Sequence, residues 1–204
     1  MKINYQLLCD EKIKKLTGNG EKPRLLLHSC CGPCSSYVLE YLSAFFEITV
    51  FFFNPNIYPE SEYEKRLSEQ KKLIESMSFK NPVSLLSVPY DYSDFLDSVN
   101  GYEREREGGA RCTECFRLRL GRCAEIAKER DFDVFATTLS VSPHKNAALL
   151  NAIGEELSEK YGVTYLPSDF KKREGYKRSI ELSKKYDIYR QEYCGCEFSL
   201  AREN

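Results

Sequence analysis

The chain has 204 residues, 42% of them apolar and 13% aromatic, which is enough to bury a core and excludes a disordered or collagen-like chain. Thirty Lys and Arg stand against thirty-one Asp and Glu, a net charge of -1, so any basic surface for a polyanion has to be local. The apolar runs around Leu25–Leu27 and Phe45–Phe53 fall short of the roughly 18 to 20 residues a membrane span needs, and the N-terminal segment lacks the apolar stretch and small-residue cleavage site of a signal peptide. The expected setting is the cytoplasm, with no membrane partner.

In chain order, residues 1–22 read as an N-terminal extension to one domain covering 1–204. From Arg24 the sequence RLLLHS is a short apolar strand, CCGPCSS a tight loop with Gly32 and Pro33, and YVLEYLSAF a helix with Val38, Leu39 and Leu42 at helical spacing. EITVFFF from Glu47 to Phe53 has no polar alternation, the pattern of a strand buried on both faces, and Asn54-Pro55 ends it. A surface helix is expected from near Ser61, carrying Tyr63, Leu67, Ile74 and Met77 on one face. VSLLSVPY, DFDVFATTLS and VTYLP supply three more strands, with a helix over Asn146–Glu156 between the last two. Strands alternating with helices predict an α/β fold with a mostly parallel sheet.

Nine cysteines are the compositional anomaly. In a reducing compartment they suggest metal or redox chemistry rather than a disulfide scaffold. Cys30, Cys31 and Cys34 form one cluster, Cys112 and Cys115 a second, Cys194 and Cys196 a third; Cys9 and Cys123 stand apart. Cys112, Phe116, Leu120, Cys123 and Ala127 step along one helix face, so Cys123 is expected in the core. Cys9 sits near a poorly constrained terminus and is expected to have no chemical role. One C-x-x-C suits zinc, an iron-sulfur cluster or a redox pair equally. Seven clustered thiols exceed the four of a structural zinc site, and the surplus favours redox chemistry. CCGPC also ends the first strand, where parallel sheets place their sites. The Cys194-Gly195-Cys196 motif could close a strained disulfide or chelate a metal, and spacing does not decide between them.

With LLLHSCCGPCS, FNPNIYP, EYEKR, RCTECFRLRL, TTLSVSPHKN, SDFKK and YRQEYCGCEFS, the sequence resembles the QueH-type epoxyqueuosine reductases over most of residues 24–199. The resemblance implies a Rossmann-like sheet of the nucleotide-hydrolase and PP-loop type, and an oxidoreductase acting in tRNA processing, at the last step of queuosine synthesis. There the epoxide of epoxyqueuosine in tRNA is reduced to an alkene. It further implies a [4Fe-4S] cluster, for which Cys30, Cys31, Cys112 and Cys115 are the expected ligands, and a redox-active pair, Cys194 and Cys196. A second iron is an open possibility, with Cys34 as a candidate to complete its site or lie beside it, and Asp91 and Asp169 as candidates for ligand or proton donor. Neither cobalamin nor ATP is expected: SCCGPCSS stands where PP-loop enzymes carry Ser-Gly-Gly followed by Asp-Ser.

The electron donor is not legible. His28 reads equally as a core residue, His144 as site-facing or as a cap, and Asn54, Asn56 and Tyr58 as framing the modified base or as plain turn residues. A charged, glycine-rich loop is expected over Gly101–Arg111. For RNA, the basic stretches are Arg104, Arg106, Arg111, Arg117, Arg119 and Arg122, then Lys171–Arg178, each with an aromatic for stacking, Phe116 and Tyr176. The rival readings are a PP-loop-related iron-sulfur tRNA thiolation enzyme and a zinc-stabilised RNA-binding module.

Overall fold

A computed structural model describes residues 3–200 of the chain. Five strands make one sheet: β1 (Arg24–His28), β2 (Glu47–Phe52), β3 (Val83–Ser87), β4 (Val134–Thr137) and β5 (Thr164–Tyr165). Their order is β3-β2-β1-β4-β5 and every pairing is parallel. Leu25 to His28 and all of β4 are buried, which is why these runs carry no polar alternation. The β1–β2 register pairs His28 with Phe51, and the β1–β4 register pairs it with Thr137. The central strand therefore ends beside two neighbours whose carboxyl ends open onto the same crevice.

The helices are α1 (Tyr5–Thr17), α2 (Gly32–Leu42), α3 (Glu60–Ser76), α4 (Tyr92–Ser98), α5 (Ala110–Glu129), α6 (Ala147–Tyr161), α7 (Gly175–Lys185) and a last turn, α8 (Glu197–Leu200). One face of the sheet is covered by an apolar cluster including Val38, Leu39, Leu73 and Ile188. The other is covered by Phe116, Leu120, Cys123, Leu150 and Ile153. Helices on both faces explain why the strands must be apolar on both. No helix among the described residues is long and apolar enough to cross a membrane.

The expected strands are found where their β-branched and aromatic runs placed them, with shorter ends. The fourth stops at Thr137, whose hydroxyl accepts from Leu139 N as the chain tightens into a 3-10 turn over Thr138–Val141. The helix expected from Asn146 begins at Ala147, with the Asn146 side chain capping Leu149 N at 3.2 Å. The N-terminal segment differs from its reading as poorly constrained. Residues Tyr5–Thr17 form a helix that buries Cys9 and Ile13 in the core, and Cys9 is accordingly an inert thiol pushed up to about 12 by burial.

Candidate functional site

The first cysteine motif follows directly from the carboxyl end of β1. Cys31 is the extended residue that caps α2, and Gly32 opens the helix. A Cβ on Gly32 would come within 2.9 Å of Ile188 Cγ2 and 3.3 Å of Glu69 O, so only glycine lets the helix start this close to α3. The turn brings three sulfurs together: those of Cys30, Cys31 and Cys34 all lie within 4.8 Å of one another, and Cys30 Sγ is 3.6 Å from Cys31 Sγ. Hydrogen bonds from Cys31 and Cys34 hold the Cys30 thiol well below its ordinary range. The same sharing of one negative charge pushes Cys31 and Cys34 up. Below them Ser29 and Ser35 both donate to Gln70 Oε1, at 2.7 and 2.8 Å, and lock the loop to α3.

Cys112 and Cys115 lie in the first turns of α5, both buried. Gly108 N approaches Cys112 Sγ at 3.2 Å, so the charged loop over 101–109 delivers a backbone donor to the second motif. Cys115 packs with Phe95, Val99 and Cys196, which joins the second motif to the third. Cys123 points the other way into the core, 3.8 Å from Leu26 O, as its helical spacing implied.

The third motif is docked by residues far away in sequence. Gly195 has φ 121°, a left-handed conformation that favours glycine, and a Cβ there would meet Arg66 Nη1 and Ile57 Cγ1 at 3.1 Å. Tyr58 N donates to Gly195 O at 2.8 Å, and Arg66 Nη1 to Cys194 O at 3.2 Å. FNPNIYP is thus the cradle of the C-G-C loop, and Asn54 additionally ties β2 to β1 through Nδ2 to Ser29 O at 2.8 Å. Cys194 is partly exposed and accepts from Lys145 Nζ at 2.8 Å. Cys196 is buried, and burial raises its thiol. Lys145 is held above its usual range because Cys194 outweighs the opposing effect of burial. Gln191 Nε2 reaches Cys31 Sγ at 3.0 Å and bridges the third motif back to the first.

A cavity of about 520 Å³ opens over this assembly, lined by Cys30, Cys34, Cys194, Arg66, Arg119, Lys145, His144 and Tyr176 among others. Of the two histidines, His28 is a neutral core residue between Thr137 Oγ1 (3.0 Å) and Phe53 O (3.2 Å), and burial takes its pKa down to about 3. His144 is exposed and lines the cavity. Asp91 caps α4 through Ser93 N at 2.9 Å and is exposed. Asp169 pairs with Lys171 at 2.6 Å.

The basic stretches are largely accounted for internally. Arg111 and Arg119 are buried, while Arg117, Arg122, Arg173 and Arg178 are ion-paired with Glu156, Glu125, Asp10 and Glu40. Phe116 belongs to the core, and Tyr176 alone of the two aromatics reaches the cavity. Arg66, Lys145 and Gln191 join the site through partners 128, 49 and 160 residues away, contacts that no local pattern announces.

A parallel α/β sheet whose carboxyl edge sets the first and third cysteine motifs on one cation-lined cavity, with the second motif packed behind them, defines a thiolate site for a soft metal group or for electron transfer. Residues 25–202 match the family described as epoxyqueuosine reductase QueH, and the chain belongs to that family. The QueH of Streptococcus pyogenes serotype M1 is 44% identical over 200 residues, covering 97% of this chain and 78% of the relative. That of Staphylococcus aureus is 43% identical over 210 residues, covering 99% and 86%. That of Thermotoga maritima is 38% identical over 185 residues, covering 86% and 90%. Among solved structures, the U34-tRNA thiolase NcsA from Methanococcus maripaludis with its [4Fe-4S] cluster aligns at TM-score 0.54 and 13% identity, over 94% of this chain and 67% of that one. At that identity the likeness is one of fold.

Proposed function

We propose that this chain reduces the epoxide of epoxyqueuosine in tRNA to the alkene of queuosine, using an iron-sulfur cluster and the Cys194–Cys196 pair. The observation that carries the reading is the meeting of the first and third cysteine motifs on one cavity, with the second packed against both, Cys112 in one apolar cluster with Cys30 and Cys115 in another with Cys196, in a member of the QueH family. The donor set fits such a cluster. The sulfurs are soft ligands, and the cations beside them, Arg119 and Lys145, suit a group of net negative charge. Cys30, Cys31, Cys112 and Cys115 would hold it, with Cys34 beside the first two, and when bound it supplies one-electron transfer at the cavity.

The stoichiometry closes on the chain's own thiols. Removing the epoxide oxygen breaks both of its C–O bonds and takes two electrons and two protons, the oxygen leaving as water. Cys194 and Cys196, on closing to a disulfide, release two electrons and two protons. Lys145, at 2.8 Å from Cys194 Sγ and on the cavity wall, is placed to carry a proton from the pair towards the substrate oxygen. Gly195 permits the tight ring, and Arg66 and Tyr58 keep the loop facing the cavity. An external reductant then reopens the disulfide.

The test is anaerobic reconstitution with iron and sulfide, followed by assay on tRNA bearing epoxyqueuosine, with and without ATP. Brown protein that forms queuosine without ATP supports the proposal. Replacing Cys30, Cys31, Cys112 or Cys115 singly by Ser is expected to lower iron and sulfide content, and full occupancy in two of these variants would refute the ligand assignment.

A further inference from the structure

Arg119 is a buried cation without a carboxylate. It is 2% exposed, one turn beyond Cys115 on α5, and no Asp or Glu forms an ion pair with it among the described residues. Its Nη2 donates to Asn54 Oδ1 at 2.7 Å, its Nε lies 3.4 Å from His28 Nε2, and its Nη1 lies 3.8 Å from Cys115 Sγ. Asn54 is an amide and His28 an imidazole, so neither supplies negative countercharge.

A charge taken out of water persists only where opposite charge and hydrogen bonds repay its desolvation. Here the groups at hand that can carry negative charge are sulfurs: Cys115 Sγ lies 3.8 Å from Nη1, and Cys30 and Cys194 line the same cavity as Arg119. The fork is held rigidly, because Asn54 is itself tied to Ser29 O at the start of the first cysteine loop. An arginine on this face of α5 would otherwise be an expensive choice, since its neighbours along the stripe are Cys112, Phe116, Leu120 and Cys123.

We propose that Arg119 is the resident counter-ion of the cysteine site, a positioning residue that sets how readily the iron-sulfur group accepts an electron. The inference rests on the iron-sulfur reading above. Adding an electron makes a thiolate-bound cluster more negative, and a fixed positive charge at short range in a poorly polarisable interior favours that reduced state. Removing the charge therefore disfavours reduction.

The experiment is a redox titration of the reconstituted protein followed by its visible and electron paramagnetic resonance spectra, with iron content measured on each sample. At a fixed applied potential, Arg119→Gln is expected to lower the ratio of reduced to oxidised cluster at least tenfold, which is 59 mV for a one-electron couple. Arg119→Lys, which keeps the charge, is expected to stay within about threefold of wild type, whereas a merely structural role would make both variants alike. If Arg119→Gln fails to fold, Asn54→Asp serves instead, because a carboxylate 2.7 Å from Nη2 neutralises the cation in place and must lower the ratio in the same direction. Unchanged ratios at full iron content in the variants would overturn the counter-ion assignment alone. Wild-type protein that takes up no iron would overturn it together with the iron-sulfur reading.

Discussion

Arg66 reaches across 128 residues of sequence to donate from Nη1 to the carbonyl of Cys194 at 3.2 Å, while its Nε is paired with Glu62 at 2.7 Å. One planar fork therefore fixes both α3 and the C-terminal cysteine loop. Lysine would keep the charge opposite Glu62 but has no second donor at the required angle. Arg66→Lys is expected to lower turnover at least tenfold with iron and sulfide content unchanged. Loss of the cluster in this variant would instead make Arg66 part of the scaffold for the first motif.

Cys123 and Cys34 are the two cysteines that best separate structure from chemistry. Cys123 is fully buried under β1, so Cys123→Ala is expected to leave iron content intact and to cost on the order of 1 kcal/mol in denaturant unfolding. Under the proposed ligand set of Cys30, Cys31, Cys112 and Cys115, Cys34→Ser is expected to keep the four-iron spectrum. Loss of that spectrum would place Cys34 among the ligands.

The fold was legible because its cause is local. Leu25–Leu27, Val50–Phe52 and Val134–Ala136 are apolar runs without alternation, and only a sheet covered on both faces accommodates them. Cys123 was legible for the same reason, from its step along α5. The cation shell was not. Arg119 stands four residues after Cys115, a spacing that puts both on one helix face, but composition alone suggested a phosphate-binding stretch. What makes it a site residue is Asn54, 65 positions away. The second basic stretch fared similarly: Arg178 is engaged by Glu40, 138 residues earlier, and no sequence window contains both.

That pairing redirects the RNA expectation. Arg104 and Arg106 are exposed, lie beside the cavity-lining Glu107 and Gly108, and form no ion pair among the described residues. Reversing both, as R104E/R106E, is expected to weaken tRNA binding and to reduce the slope of log affinity against log salt by about 1.5, the value for two lost phosphate contacts. The same reversal at Lys177 and Arg178, whose charges are already balanced by Glu174, Glu40 and Glu181, is expected to change the slope much less.

His28 gives the fold a pH dependence with a definite sign. Its pKa is taken from 6.5 down to about 3 by burial, so the unfolded chain binds a proton that the folded chain refuses. Its contribution is fully present above about pH 6.5 and is lost as pH falls towards 3, at about 1.4 kcal/mol per pH unit between those limits. His28→Gln is expected to flatten the dependence of the urea midpoint between pH 7 and pH 5 relative to wild type. An equal slope in the two proteins would mean that His28 does not titrate in this way.

The most direct test of the reductase reading is a single turnover without an external donor. Reconstituted protein, reduced and then freed of reductant, is mixed with excess tRNA bearing epoxyqueuosine under anaerobic conditions. Queuosine and free thiols are then counted. The account requires up to one queuosine per chain with the loss of two thiols, mapped by alkylation and peptide analysis to Cys194 and Cys196. Queuosine formed with both of those thiols still free, or no queuosine from protein carrying its full complement of iron and sulfide, would contradict it.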